Sequence, residues 1–429
     1  MRTVITKDIS QFSNFKNQLL HWSNQHREVV FLDSNAYHQK YSSYDVVLAV
    51  EAFTSIKTDV KNAFQDLYQY QSQMKDWLFG YLSYDLKNDA ENLQSNNYDG
   101  LAFPDLFFFQ PKKLFLIKEN QVEMQYLRMC DDEIESDFEE ILSLTSNFQL
   151  PTSITIEQRI SKENYLSKVS KMLEHIHRGN IYEANFCMEF FAENAHIEPL
   201  EIYQKLNAIS EPPFAVYFKN DHHYLLSASP ERYLRKEGNK VISQPIKGTS
   251  KRSEVTIIDE QLKIDLAQNE KESSENIMIV DLVRNDLAHT ATKGSVQVEE
   301  LCQIYTFKQV HQMISTIVSE VENTTSPIEI LRSTFPMGSM TGAPKISAMQ
   351  IIEALEETKR GLYSGAVGYF TPIGDFDFNV VIRSILYNSK NQYLSFSVGS
   401  AITSQAVPEN EYEECLLKAK AMFEVLQSK

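Results

Sequence analysis

Short apolar runs alternate with polar segments in the first third of the chain. Residues 46–50 and 106–109 are clear examples, and runs of this kind are typical of sheet strands. Farther along, strand-like runs and helical periodicities are mixed, without a regular strand–helix–strand repeat. This pattern predicts an α+β fold rather than a doubly wound one.

Two helices stand out in the rest of the chain. One follows Ser161, which can cap its first turn, and ends near Gly179. Its apolar residues recur at spacings of three and four: Leu166, Val169, Leu173 and Ile176. The other helix is predicted to cover about residues 409–427.

A polar, proline-containing stretch at residues 146–153 follows an acidic segment and marks the clearest boundary in the chain. It predicts an N-terminal region of residues 1–150 and a second region of residues 155–429. At 429 residues, the chain can form one large domain or two to three smaller ones.

Composition narrows the functional classes. The chain is 42% hydrophobic and 23% charged, which is ordinary for a globular protein. Its net charge of -17 argues against a general affinity for nucleic acid or for an anionic membrane, although a local cluster of cations can still bind an anionic small molecule. The sequence shows no signal peptide or membrane span, and its four cysteines form no CxxC pair. These features predict a cytoplasmic protein.

A β-hairpin is predicted around a turn at residues 237–239. Its register puts position 231 roughly opposite position 246, so Glu231 should lie beside Lys247 at the open end of the hairpin. A carboxyl group next to an amine can act as an acid and a nucleophile. The alternative is an exposed ion pair worth about 0–1 kcal/mol.

Two carboxylate pairs have the three-residue spacing that puts side chains on one face of a helix. These pairs are Glu272 with Glu275, and Glu411 with Glu414. The first pair leads into the apolar run 276–283, whose helix is expected to be buried on most sides. Two such pairs suit Mg²⁺, which prefers oxygen ligands. The alternative is that both are solvated helix faces neutralised by Lys271 and Lys418.

Three further features bear on ligand binding. Residues 335–345 form a small-residue loop that lacks the GxxxxGK[ST] spacing of a phosphate loop, although its backbone amides can still bind an anion such as a carboxylate. Arg383 ends an apolar run and either snorkels or presents its guanidinium to a carboxylate. His311 is by default a hydrogen-bonded structural histidine.

In their order and spacing, these segments resemble the chorismate-utilising enzymes, which include anthranilate synthase component I, aminodeoxychorismate synthase component I, isochorismate synthase and salicylate synthase. The resemblance is densest from Gly179 to Lys418. It is carried by GNIYEAN, SASPER, PIKGT, ENIMIVDLVRNDL, FPMGSMTGAPK, RGLYSGAVGYF, VVIRS and PENEYEEC. The first 150 residues match more weakly, through FLDS and FGYLSYD. The family's fold, two antiparallel sheets packed as a sandwich with helices around them, is therefore expected.

Within this family, position 247 separates two reactions. Anthranilate synthases resemble the chain around PIKGT but carry Ala where Lys247 stands, whereas aminodeoxychorismate synthases carry Lys. The resemblance therefore implies amination of chorismate to 4-amino-4-deoxychorismate, in para-aminobenzoate and folate biosynthesis. The lysine would attack C2 as the C4 hydroxyl leaves, and ammonia would then add at C4 and expel the lysine. Glu231 would protonate the departing hydroxyl.

The resemblance also implies a metal and further ligand contacts. Glu275 and Glu414 would ligate Mg²⁺, with Glu272 and Glu411 in its shell or next to it, and the metal would hold the ring carboxylate. The implied substrate contacts are Arg383, Lys418, Ser339, His311, Thr249, Gly399 and Tyr363. The segment ending in Ser34 resembles one that lines a tryptophan site in relatives, so tryptophan is a further expected ligand.

Two positions depart from the family pattern. Isochorismate and salicylate synthases place a water-activating Lys where Glu183 stands, and aminodeoxychorismate synthases usually have Gln there, so Glu183 argues against water addition. Ser400 and Ala401 add side chains to a segment near Gly399 that is glycine-rich in the family.

No cysteine lies in a Gly-x-Cys-x-Gly setting, so ammonia is expected from a separate glutamine amidotransferase subunit. Three alternatives stay open at this point. They are anthranilate synthase component I, isochorismate synthase and a non-catalytic subunit that binds chorismate or tryptophan.

Overall fold

The computed structural model describes residues 2–37, 40–144, 154–308 and 310–427. Its strands are β1 (Arg2–Asp8), β2 (Glu28–Asp33), β3 (Val46–Thr58), β4 (Leu78–Leu82), β5 (Leu106–Lys118), β6 (Gln121–Leu127), β7 (Glu157–Gln158), β8 (Glu183–Ala192), β9 (Phe214–Asn220), β10 (His223–Ser229), β11 (Arg232–Glu237), β12 (Lys240–Gln244), β13 (Ile246–Lys251), β14 (Gln297–Thr306), β15 (Val310–Glu320), β16 (Gly342–Ala343), β17 (Ala366–Phe370), β18 (Phe376–Val380), β19 (Ser384–Asn388) and β20 (Tyr393–Thr403). Its helices are α1 (Phe15–Ser23), α2 (Ala63–Met74), α3 (Lys87–Ala90), α4 (Ile134–Ser143), α5 (Lys162–His177), α6 (Pro199–Ser210), α7 (Thr256–Ala267), α8 (Glu270–Ala288), α9 (Pro327–Thr334), α10 (Lys345–Leu355) and α11 (Pro408–Gln427).

Two antiparallel sheets diverge from the long neighbouring strands β3 and β5, because β5 pairs with β6 along one half and with β4 along the other. One sheet has the order β1-β6-β5-β3-β2-β9-β10-β19-β20-β8. The other has the order β3-β5-β4-β17-β18-β11-β12-β15, and β13 and β14 also pair with β15. The expected α+β fold with two antiparallel sheets is confirmed.

The two sheets pack against each other through a shared core. Phe79 of β4 and Val367 of β17, from one sheet, lie in the same cluster as Val216 of β9 and Leu225 of β10, from the other. Helices α1, α4, α5, α6, α10 and α11 cover the outer side of the first sheet, and α2, α8 and α9 cover the outer side of the second. This arrangement is the expected sandwich.

The predicted boundary at residues 146–153 lies outside the described residues. The strands before it nevertheless belong to both sheets, since β2 pairs with β9 and β4 pairs with β17. The N-terminal region is therefore built into the same two sheets as the region after residue 155.

The helices follow the sequence pattern with one correction. α5 begins after Ser161, whose side chain accepts a hydrogen bond from the backbone N–H of Asn164 at 3.2 Å, and α11 covers the predicted last helix. The run 276–283 was expected to be buried on most sides, but α8 buries one face and leaves Ile277 44% exposed. Among the described residues, no helix is both long and apolar enough to cross a membrane.

Candidate active site

The predicted hairpin is formed by β11 and β12, with Glu237 opposite Lys240 and a turn at Gly238 and Asn239. Glu231 directly precedes β11, and its carboxylate accepts a hydrogen bond from the backbone N–H of Ile246. Position 231 therefore lies against position 246, as the sequence predicts.

Glu231 is only 3% exposed. The hydroxyl of Ser339 donates a hydrogen bond to its Oε1 at 2.7 Å. Burial raises the pKa of Glu231 to about 7, even though the Ser339 hydroxyl and the charge of Lys247 both lower it. A large fraction of this carboxyl group is therefore protonated near neutral pH and can donate a proton.

Lys247 lies in an irregular part of the pairing between β13 and β15. Bulges of this kind re-aim side chains. The next residue, Gly248, has a φ of +92°, and a Cβ there would lie 3.2 Å from the Cβ atoms of Glu272 and Met313. The Lys247 carbonyl accepts a hydrogen bond from the side chain of Asn276 at 3.3 Å, which fixes the bulge to α8.

The Lys247 amine makes no ion pair within 4 Å with any residue in the described ranges. Five carboxyl groups nevertheless lie near enough for its charge to act on them: Glu183, Glu231, Glu272, Glu275 and Glu414. Burial raises the pKa of Glu183, Glu231, Glu272 and Glu275, and the lysine charge lowers it. Burial also acts to raise the pKa of Glu414, but the charges of Lys418, Lys247 and Lys271 together bring it below its ordinary value. The Lys247 amine therefore lies among carboxyl groups without a fixed ion-pair partner.

A cavity of about 550 Å³ joins these groups. The predicted site residues that line it are Glu231, Lys247, Thr249, Glu272, Glu275, Ser339, Tyr363, Arg383, Gly399, Glu411, Glu414 and Lys418. His311 does not line it. The His311 ring is 1% exposed and forms hydrogen bonds with Thr306 at 3.0 Å and Asp259 at 3.1 Å, which is the geometry of the structural histidine that the residues predict by default.

Arg383 lies in the short break between β18 and β19, with a φ of +52°. A left-handed backbone costs a residue with a side chain about 1–3 kcal/mol, and it is held here by a 3.0 Å hydrogen bond from the backbone N–H of Ala228 to the Arg383 carbonyl. Burial lowers the pKa of Arg383, and no ion pair within the described residues neutralises its guanidinium. A strained, unpaired arginine on a cavity wall suits a carboxylate ligand.

Lys418 and Glu414 form an ion pair at 2.6 Å. The ammonium of Lys418 also donates a hydrogen bond to the Gly399 carbonyl at 2.9 Å. Burial would lower the pKa of Lys418, but the Glu414 carboxylate beside it raises the pKa above its ordinary value. Lys418 therefore stays charged while it anchors the middle of β20 to α11.

The two predicted carboxylate pairs meet at the cavity wall, with Lys271 near them. The Lys271 ammonium lies 3.7 Å from Glu275 Oε1 and 3.5 Å from Glu411 Oε1. Within the described residues, no three acidic, histidine or cysteine side chains are arranged to hold a metal ion.

The chemistry of this donor set still fits Mg²⁺. Glu275 is 8% exposed, burial raises its pKa to about 7, and its buried Oε1 accepts no hydrogen bond. Burial and the Glu414 carboxylate together raise the pKa of Glu272 and of Glu411. The oxygens of these carboxylates are hard ligands. Their negative charge is only partly neutralised, and a bound divalent cation would neutralise the rest.

A model of the chorismate binding enzymes matches residues 20–424. The chain belongs to this family. Aminodeoxychorismate synthase component 1 of Bacillus subtilis is 30% identical over 388 residues, which are 87% of this chain and 80% of that protein. Anthranilate synthase component 1 of Acetivibrio thermocellus is 31% identical over 371 residues, 81% of this chain and 74% of that protein.

Some relatives are much longer than this chorismate-binding protein. The chloroplastic aminodeoxychorismate synthase of Arabidopsis thaliana is 34% identical over 365 residues, which are 80% of this chain but 39% of that protein. The chain thus spans well under half of the plant relative.

Solved structures share the fold. Anthranilate synthase component I from Streptococcus pneumoniae has a TM-score of 0.78 at 23% identity and covers 90% of this chain and 93% of its own. The menaquinone-specific isochorismate synthase from Escherichia coli has a TM-score of 0.77 at 16% identity and covers 100% of this chain and 95% of its own.

Asn276 is not evident from the sequence as a residue of this candidate site, and Lys271 is evident only in part. Asn276 is 1% exposed and ties the Lys247 carbonyl to β15 through the Met313 carbonyl, which its side chain reaches at 3.2 Å. The only indication of this role in the sequence is that Asn276 directly follows Glu275. Lys271 is discernible from the sequence only as a charge neutraliser on an exposed helix face.

Glu183, the unexplained departure from the family pattern, begins β8. It is 2% exposed, and its Oε2 has no hydrogen-bond partner among the described residues. Burial raises its pKa and the nearby charge of Lys247 lowers it. It therefore adds to the acidic environment of Lys247.

Ser34 lines a second, smaller pocket that is separate from this cavity. Its walls include Tyr44, Asp45 and Phe214, and the buried Ser34 hydroxyl has no hydrogen-bond partner within the described residues. An unpaired buried hydroxyl next to aromatic rings suits a ligand that is both apolar and polar.

Proposed function

We propose that this chorismate-binding enzyme is an aminodeoxychorismate synthase component I, which converts chorismate and ammonia to 4-amino-4-deoxychorismate and water. The observation that carries the proposal is the unpaired amine of Lys247 on the same cavity wall as Glu231, whose pKa is raised to about 7. An amine and a protonated carboxyl group are the nucleophile and the acid that this reaction needs.

In the proposed reaction, Arg383 holds a substrate carboxylate. The neutral amine of Lys247 forms a bond to C2, the two conjugated ring double bonds shift, and the C4–O bond breaks. Glu231 gives its proton to the departing hydroxyl, which leaves as water. Ammonia then bonds to C4, the two double bonds shift back, and the C2–N bond breaks. The Lys247 nitrogen keeps both of its protons as an ammonium adduct and leaves as the neutral amine, and one proton lost by the bound ammonia restores Glu231.

The proposed reaction also includes a bound Mg²⁺ ion. Glu275 and Glu414 would hold it, with Glu272 and Glu411 beside them, and when bound it would orient the ring carboxylate of chorismate. The ammonia source is proposed to be a glutamine amidotransferase partner, in keeping with the word component in the names of two relatives. Free ammonium should then replace the partner in an assay.

The deciding experiment identifies products by liquid chromatography and mass spectrometry after incubation with chorismate, Mg²⁺ and ammonium. Wild-type protein should form 4-amino-4-deoxychorismate, and Lys247→Ala should form at least about 100-fold less. Lys263→Ala is the control, because Lys263 pairs with Glu260 on α7 and does not line the cavity.

Other products would redirect the proposal. Fluorescent anthranilate from the wild type would assign the chain to the anthranilate synthases, which are equally represented among its relatives. Isochorismate would indicate that water is the nucleophile. The absence of any product would favour a non-catalytic subunit.

The Ser34 pocket supports a second proposed ligand, tryptophan, because a buried hydroxyl without a partner lies among aromatic walls. Calorimetric titration with tryptophan should release heat, and Ser34→Ala should weaken binding several-fold through the lost hydrogen bond. Equal affinities for tryptophan and phenylalanine would argue against an indole site.

A further inference from the structure

Lys271 lies in the first turn of α8, next to the four glutamates of the carboxylate cluster, Glu272, Glu275, Glu411 and Glu414. Its ammonium is 3.5 Å from Glu411 and 3.7 Å from Glu275. The charges of Glu272 and Glu414 act on this ammonium as well. One ammonium therefore acts on the whole cluster.

The stability of α8 does not account for a lysine at this position. A cation in the first turn opposes the helix dipole, which favours negative charge there. The pair with Glu275 has lysine on the N-terminal side, the weaker of the two orientations for such a pair. The role of Lys271 therefore lies in the cluster.

The contacts of Lys271 are those of a loosely held ion. Charge-assisted hydrogen bonds between nitrogen and oxygen are usually about 2.7–2.9 Å long. Both ion-pair distances of Lys271 exceed this range, whereas the neighbouring pair of Lys418 with Glu414 has 2.6 Å. The Lys271 side chain is also 41% exposed, so its flexible stem can leave the cluster for solvent without a change of backbone.

The carboxylates need such a cation. Glu411 is 2% exposed and Glu275 is 8% exposed. Oε1 of Glu275 accepts no hydrogen bond. Buried carboxylates that repel one another destabilise the fold unless a positive charge lies near them.

We propose that Lys271 is a displaceable internal cation, which neutralises the glutamate cluster when no metal is bound and must move out when Mg²⁺ binds. This inference rests on the metal site of the proposed function, but not on which chorismate product is formed. Lys271 would thus lower the affinity for Mg²⁺ while it keeps the metal-free site folded.

The test measures the binding of Mn²⁺, a spectroscopic substitute for Mg²⁺, by electron paramagnetic resonance in the absence of chorismate. Lys271→Met keeps the apolar stem and removes the charge, so it should bind Mn²⁺ about tenfold more tightly. Lys271→Arg should bind more weakly than wild type, because a guanidinium fork pairs more firmly with carboxylates. Glu275→Gln should lose most of the binding, which would place the ion in this cluster.

Lys263→Met is the matched control for a lost lysine charge, and its Mn²⁺ affinity should equal that of the wild type. A second readout is thermal unfolding. Without metal, Lys271→Met should melt below the wild type, and saturating Mg²⁺ should remove most of this difference.

Unchanged or weaker Mn²⁺ binding by Lys271→Met would overturn the proposal. Failure of both wild type and Lys271→Met to bind Mn²⁺ would overturn it together with the metal assignment. Tighter binding by Lys271→Met, accompanied by a product other than 4-amino-4-deoxychorismate, would support this inference and refute only the proposed reaction.

Discussion

Glu231 makes the proposed reaction sensitive to pH. Its pKa is raised to about 7 by burial, and the reaction uses its protonated form. Values of kcat/KM should therefore fall as pH rises through about 7, since the carboxyl group loses its proton. Glu231→Gln should lower kcat by about 100- to 10,000-fold with little change in KM, because proton transfer acts in the transition state. If the alkaline fall persists in Glu231→Gln, another group is responsible for it.

Ser339 tunes this acid through the 2.7 Å hydrogen bond from its hydroxyl. The bond favours the charged carboxylate and lowers the pKa of Glu231, so Ser339→Ala should raise that pKa and move the alkaline fall to higher pH. The measurement is the pH profile of kcat/KM. Ser295→Ala is the control, since the Ser295 hydroxyl bonds the Thr292 carbonyl outside the cavity. An unshifted profile in Ser339→Ala, with a raised KM, would instead indicate that Ser339 binds substrate.

For individual residues, the register of the hairpin was predictable from the sequence, but the directions of side chains were not. The juxtaposition of Glu231 with position 246 follows from one turn a few residues away. The direction of His311 depends on α7, which supplies Asp259, and on the pairing of β15 with β14, which supplies Thr306. Neither contact can be read from a single segment of sequence.

The bulge in β13 determines where the Lys247 side chain points. Glycine at position 248 allows the backbone to adopt this bulge. Gly248→Ala would place a Cβ at a φ of +92° and 3.2 Å from two other Cβ atoms. It should destabilise the protein by about 1–3 kcal/mol and reduce turnover, because Lys247 would shift. Urea unfolding and product formation measure these two effects.

Gly238→Ala is the matched control for this substitution. Gly238 also has a positive φ, +58°, but a Cβ there would meet nothing within 4 Å. It should lose stability through backbone strain alone and keep full turnover. Equal losses of turnover in both variants would show that the crowding at Gly248 is not what positions Lys247.

A helix was predictable from the sequence where its apolar residues recur at intervals that place them on one face. α5 and α11 have apolar residues at spacings of three and four, and their bounds agree with the pattern. The apolar run in α8 has no such periodicity, so it could not reveal that Ile277 lies on an exposed side. Apolar content alone does not state which face of a helix is covered.

For the whole molecule, the class of fold was predictable from pattern and resemblance, but the branching of the sheets was not. The two sheets diverge because β5 changes partners along its length, from β4 to β6. Pairings between strands far apart in sequence depend on three-dimensional packing. For the same reason, the dependence of the cavity on the N-terminal region is invisible in the sequence.

Among the described residues, those that line the cavity lie between positions 185 and 424, and none of them comes from the N-terminal region. That region nevertheless supplies β2 and β4, which pair with β9 and β17. Its buried aromatic residues in the shared core include Phe79, Tyr81, Phe107 and Phe109. At about 1.5–3 kcal/mol for each buried side chain, their loss would remove about 6–12 kcal/mol, which is comparable to the whole stability of a typical domain.

A fragment of residues 154–429 should therefore not fold alone, although it contains all the described residues that line the cavity. It should bind a hydrophobic dye and show no cooperative thermal transition, because β9 and β17 would become open edges. Co-expression with a fragment of residues 1–144 should restore both the transition and chorismate-dependent activity, since the two pieces can rebuild both sheets. A sharp transition and Mn²⁺ binding by the 154–429 fragment alone would instead show that the region after residue 155 is an independent domain, as the predicted boundary suggests.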